Sequence, residues 1–111
     1  MSHIVKGKVS IAYKEEELLR KSLNGLGILK ENEKLYRVGA GLTRERYDLV
    51  LIDPKNKDHR IGYKLQNGVW NQYQEDYGSY GRWTRSVSDK VQDRYIAFHY
   101  EKNLKEEGFD V

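Results

Sequence analysis

The sequence predicts an α+β fold, a two-layer sandwich. A mainly antiparallel sheet of four or five strands, in the order β-α-β-β-β-β-α, carries two helices on one face. Three observations predict it. Residues 5–13 and 59–65 alternate apolar and polar side chains with period two, as half-buried strands do. Residues 14–26 and 86–107 instead repeat apolar side chains every three or four positions, which is helical spacing. Asn67-Gly68 is the preferred two-residue turn of an antiparallel hairpin. One apolar sheet face and two amphipathic helices close most simply as two layers.

In chain order, Val5, Gly7, Val9, Ile11 and Tyr13 share one face of the first strand. In the helix that follows, Leu19, Leu23 and Leu26 form a stripe beside Leu18. Glu15, Glu16 and Glu17 lie in its first turn, where the helix dipole favours negative charge. Gly27 is expected to end this helix, with Ile28 packing back on Leu23. A second strand is expected over 34–38, broken by Gly39-Ala40-Gly41. Tyr47 to Ile52 is apolar on both faces and reads as a central strand. Asp53-Pro54-Lys55-Asn56 turns the chain. The Asn-Gly turn sets the next register: Gln66 opposite Val69, Leu65 opposite Trp70, and Gly62 opposite Tyr73, whose ring is expected over Gly62. Residues 76–83 read as an aromatic, glycine-rich loop. Ser86 with Asp89 reads as the capping box of the last helix, which carries Val87, Val91, Tyr95 and Phe98 on one face. Gly108 and Phe109 are expected to stop it, with Phe109 over Leu104.

Several of these segments, taken in order, resemble a known family. They are Met1-Ser2-His3, Leu26-Gly27, Tyr47-Asp48-Leu49-Val50, Ile61-Gly62-Tyr63, Asn67-Gly68, Asp76-Tyr77-Gly78 and Glu107-Gly108-Phe109. The chain resembles a domain-of-unknown-function family that includes a small uncharacterised open reading frame of red-algal chloroplast and cyanobacterial genomes. No activity is established for that family. Its members are often encoded near an AAA-type ATPase, so the resemblance implies an accessory or adaptor role. Asp76-Tyr77-Gly78 stands where the family pattern has Asp-Trp-Trp-Gly or similar, so no residue role is carried over.

A length of 111 residues implies one domain, residues 1–111. Apolar residues are only 38% of the chain, and nine tyrosines and two tryptophans supply the missing bulk. The absence of cysteine excludes disulfides and thiolate-held metals, and fits a reducing compartment. No run approaches the roughly 20 apolar residues of a membrane helix, and the first residues lack a secretory pattern. A cytoplasmic protein with no membrane contact is therefore expected. The net charge of +3 is spread evenly, with acids and bases mixed along the chain.

Catalytic signatures are sparse. His3, His59 and His99 are far apart and read as three surface histidines, with no metal-ligand spacing. No Gly-x-Ser-x-Gly element is present, and a serine and a histidine meeting in space is something any chain of this size allows. The paired glycines at 25–27 and 39–41 lack the residues of a phosphate loop. Asp48, Asp53 and Lys64 fall in a nuclease-like order, but Gly62 stands where a second carboxylate is needed. No catalytic residue, metal or cofactor is therefore assigned.

The binding signals are stronger. Tyr73, Tyr77, Tyr80, Arg82, Trp83 and Arg85 lie within 13 positions, and these residue types dominate interface energetics. Lys6, Lys8, Arg37, Arg60 and Lys64 are expected on an open sheet face, where nearby aromatic residues would stack bases. The sequence thus predicts a non-catalytic binding or accessory protein acting through a protein partner or a homodimer. An RNA or single-stranded DNA binder is the alternative.

Overall fold

A computed structural model describes residues 4–108. The elements are β1 (Ile4–Lys6), α1 (Glu16–Leu23), β2 (Ile28–Arg37), β3 (Gly41–Asp53), β4 (Asn56–Gln66), β5 (Val69–Glu75) and α2 (Gly78–Glu106). The strands form one antiparallel sheet in the order β1-β5-β4-β3-β2. The α+β two-layer arrangement is the expected one. Among the described residues, no helix is long and apolar enough to cross a membrane.

β3 is central because it is apolar on both faces. Leu49 and Leu51 turn toward the helices, where they meet Leu18, Leu19 and Leu23 of α1 and Val87, Val91 and Tyr95 of α2. Tyr13, Ile61, Tyr63 and Trp70 complete that core. Val50 and Ile52 turn the other way, into a second cluster with Leu35 and Tyr47. The Asn67-Gly68 turn has positive φ at both residues, 54° and 79°, as a type I′ turn demands. Its register is the expected one, with Gln66 opposite Val69, Leu65 opposite Trp70 and Gly62 opposite Tyr73.

The second sheet face is not open as expected. The outer half of the β2–β3 hairpin folds across it. Arg60 Nη1 donates to the Lys34 carbonyl at 2.9 Å, and Val38 N–H reaches the Glu75 carboxylate at 3.0 Å. A flat sheet keeps two strands, β3 and β4, between β2 and β5, so these contacts require the bend. Asn32 supports it with φ of 52°, and the β2–β3 register slips between Lys34 and Tyr36. Thr43 fills the slip: its hydroxyl accepts Leu35 N–H and donates to the Glu45 carbonyl. Tyr47, rather than Tyr73, covers Gly62, where an added Cβ would sit 2.8 Å from the Tyr47 ring.

Other expectations are corrected. The first strand stops at Lys6; Gly7 N–H still donates to the Gln72 carbonyl at 2.8 Å, and residues 8–12 then leave the β5 ladder. Gly7 lies against the Gln72 and Gln74 side chains, where a Cβ would come within 2.7 Å of Gln72. The chain rejoins β5 at Tyr13, whose carbonyl accepts Trp70 N–H at 2.7 Å. Gly25, not Gly27, has the left-handed backbone after α1, with φ of 83°. Gly27 is instead a close approach to the Ile52 carbonyl, and the half-exposed Ile28 opens β2 opposite Ile52 rather than packing on Leu23. β2 begins six residues before the expected Lys34 because residues 28–33 form a charged edge with no apolar alternation to signal it. Gly108, with φ of 88°, donates to the Lys105 carbonyl and stops α2 as expected, whereas Phe109 lies outside the described residues.

The largest correction concerns α2. It starts at Gly78, so the expected loop 76–83 is mostly helix and Ser86 is no cap. Two features build this early start. The Glu75 carboxylate accepts the N–H groups of Asp76 and Tyr77 just before the helix. Gly81 then lets the first turn pack against the preceding backbone, since a Cβ there would sit 2.3 Å from the Asp76 carbonyl.

Candidate functional site

The start of α2 meets the β3–β4 turn, and the two together gather the chemistry-bearing side chains. The alternation that sends Leu49 and Leu51 to the helix side also sends Asp53 there, and His59 follows Ile61 and Tyr63. Both then face the first turn of α2. Asp53 opens the turn by accepting Lys55 N–H on Oδ1, and Asn56 accepts Asp58 N–H likewise.

His59 is the hub. Its Nδ1 lies 3.0 Å from Asp53 Oδ2, and both side chains are only 12% exposed. A carboxylate accepts and cannot donate, so Nδ1 carries the proton. Nε2 then presents its lone pair to the Asn56 amide at 3.3 Å and to the Ser79 hydroxyl at 3.4 Å. The expectation of three surface histidines fails at His59, which is mostly covered. Its partner is Asp53, across the turn, rather than the adjacent Asp58.

Aromatic rings hold this histidine. Trp83 stacks on it with 5.8 Å between centroids, and Tyr80 meets it edge-on at 4.7 Å. Tyr80 in turn stacks on Tyr36 from the folded hairpin, at 6.0 Å and 15°. Desolvation raises the Tyr80 phenol above its ordinary value, and the nearby Asp58 raises it further. Trp83 is partly buried against the helix-side core, whereas Tyr77 is 65% exposed. Arg82 and Arg85 project into solvent from the first turns of α2, and Arg85 lies 3.7 Å from Asp76.

Five of the six expected partner-contact residues therefore lie together around the start of α2: Tyr77, Tyr80, Arg82, Trp83 and Arg85. Tyr73 does not. It packs on Tyr47 on the second sheet face, and its hydroxyl donates to Gln66. The expected basic residues are scattered and partly occupied. Arg60 donates to the Lys34 and Lys57 carbonyls, and Lys64 pairs with Glu45 over the Tyr47 ring. Arg37 ends β2, and Lys6 and Lys8 are exposed at the far edge. Beside them an open groove of about 520 Å³ runs between residues 5–8 and α2, lined by Gln74, Asp76, Arg85 and Asp89.

Asp53, His59, Ser79 and Tyr36 were not singled out as a group from the sequence. Period two alone places Asp53 and His59 on the helix side. The missing signal was the helical state of residues 78–85, which brings Ser79 to them. Among the described residues, no three His, Asp or Glu side chains converge as a metal site. The chain matches no family model, no curated protein and no solved structure.

Proposed function

We propose that the protein is a binding module that docks an acidic segment of a protein partner against the start of α2. The observation that carries this is Tyr77, 65% exposed at the N-cap of α2, whose first turns hold Tyr80 and Trp83 in a fixed cluster with Tyr36 and His59. Aromatic anchors already held in place lose little conformational freedom on binding. Lys55 and Lys57 are exposed on and just after the β3–β4 turn, and Arg82 and Arg85 on the first turns of α2, against Asp58 and Asp76, so these two segments together favour a negatively charged partner. The family resemblance makes an AAA-type ATPase one such partner, in the cytoplasm. The scattered and occupied cations of the second sheet face make a continuous nucleic-acid track the weaker reading.

A photo-crosslinking residue at position 77 tests this in cells, with position 100 as control. Tyr100 has the same 65% exposure on a distant turn of α2. The expected result is a discrete protein adduct from position 77, absent from position 100 and lost with Arg82→Glu. Adducts of equal intensity from both positions, or a nucleic-acid adduct whose yield falls steeply with added salt, would overturn the reading.

A further inference from the structure

We propose that Ser79 is a nucleophile activated by the Asp53–His59 pair, and that the protein transfers acyl groups from small esters carrying a flat apolar moiety. The inference does not depend on the partner reading. It rests on three side chains from three elements: the last residue of β3, the fourth of β4 and the second of α2. Asp53 Oδ2 lies 3.0 Å from His59 Nδ1, and His59 Nε2 lies 3.4 Å from Ser79 Oγ. This is the order of contacts that general-base activation of a hydroxyl requires: carboxylate, imidazole, then hydroxyl. The Nε2–Oγ separation is long for a hydrogen bond, and such contacts tighten when substrate binds.

Burial divides the roles. Asp53 and His59 are mostly covered, which holds the imidazole in one tautomer, while Ser79 is exposed and open to a substrate. Trp83 and Tyr80 fix the ring plane and offer an apolar wall to an aryl group. Ser79 also lies in the first turn of α2, where the helix dipole favours a developing oxyanion, although the N–H groups of Tyr80 and Gly81 there already donate to the Tyr77 carbonyl.

The chemistry balances without a further reactant. Ser79 Oγ forms a bond to the ester carbonyl carbon as its proton passes to His59 Nε2. The carbonyl electron pair moves onto oxygen, then returns as the bond to the alcohol breaks. The alcohol leaves with the proton from Nε2. Water repeats the sequence on the acyl-serine: its proton goes to Nε2, its oxygen bonds to the acyl carbon, and Ser79 Oγ departs with that proton. The net reaction is ester plus water to acid plus alcohol. His59 is a catalytic residue here, and Asp53 is a positioning residue that acts through it.

A fluorophosphonate probe and p-nitrophenyl acetate test the proposal on the full chain, with the modified residue located by peptide mass. The internal control is Ser86, exposed about two turns further along the same helix. Labelling at Ser79 is expected to be about 10²-fold faster than at Ser86 and to slow by a similar factor in His59→Gln. Ester hydrolysis should disappear in Ser79→Ala. Asp53→Asn keeps the turn acceptor for Lys55, so it should slow labelling while shifting the His59 imidazole ¹⁵N signals away from the Nδ1–H tautomer. Equal labelling of Ser79 and Ser86 in the unaltered protein would overturn the proposal, whether or not any variant folds. So would an unchanged rate in a His59→Gln variant that keeps the native circular dichroism spectrum.

Discussion

Tyr95 shows how much one hydroxyl can hold. Its ring packs edge-on against Tyr13 in the helix-side core at 4.9 Å, and its oxygen accepts the N–H groups of Lys14 and Glu15, each at 3.1 Å. Glu15 is the N-cap of α1 and makes no side-chain cap of its own, and a tyrosine on α2 satisfies the N–H of that N-cap residue and of the one before it from across the core. Tyr95→Phe keeps the ring and strands two donors. It should cost about 1–3 kcal/mol, read as a lower thermal midpoint with an unchanged circular dichroism spectrum. The sequence reading put Tyr95 on the buried face of its helix correctly, but its polar role was invisible because Lys14 and Glu15 lie some 80 positions away. Asp53, His59 and Ser79 were hidden for the same reason. Each is ordinary in its own segment, and the cluster exists only once β4 and α2 are brought together.

At the scale of elements, legibility followed how local the determining signal was. The Asn67-Gly68 hairpin and the central strand at 47–52 were readable, because turn chemistry and two-sided apolarity sit within a few residues. The start of α2 was not. Gly78 and Gly81 have the look of loop residues, yet Gly81 serves a close backbone contact inside a helix. This reverses the usual sign of a substitution. Gly→Ala within a helix ordinarily stabilises by up to about 1 kcal/mol, but at Gly81 the methyl would collide with the Asp76 carbonyl, which cannot yield as a side-chain tip could. Gly81→Ala should therefore destabilise by about 1–3 kcal/mol, measured by denaturant unfolding. Because Tyr80 and Trp83 ride on this turn, the same variant should weaken the crosslink from position 77. The first strand failed in the opposite direction. Its alternation runs on to Tyr13, but pairing ends where Gly7 fits against Gln72 and Gln74.

For the molecule as a whole, two cores sit back to back on one sheet, and tyrosine supplies much of the bulk of both. Burial pushes the Tyr13 and Tyr63 phenols well above their ordinary value, with smaller contributions from Tyr95 and Tyr13 respectively. Tyr47, in the second core, moves the same way through desolvation. The folded state favours the neutral phenol, so this contribution is intact below the unfolded tyrosine value near 10 and is lost as pH rises toward the folded values. Alkaline titration followed by ultraviolet difference absorbance should show fewer than the nine tyrosines ionising while the fold persists. The remainder should appear together with loss of the circular dichroism signal. Reversible ionisation of all nine in the folded state would contradict the two-core arrangement.

The order of the sheet also bears on how it is assembled. From β2 to β5 each strand lies beside its successor in sequence, so this part can be zipped up one hairpin at a time. β1 must wait for β5, since Ile4 pairs with Glu75. During synthesis, that short strand leaves the ribosome before the other four and finds its place almost last, as the final stitch that closes the edge of the sheet.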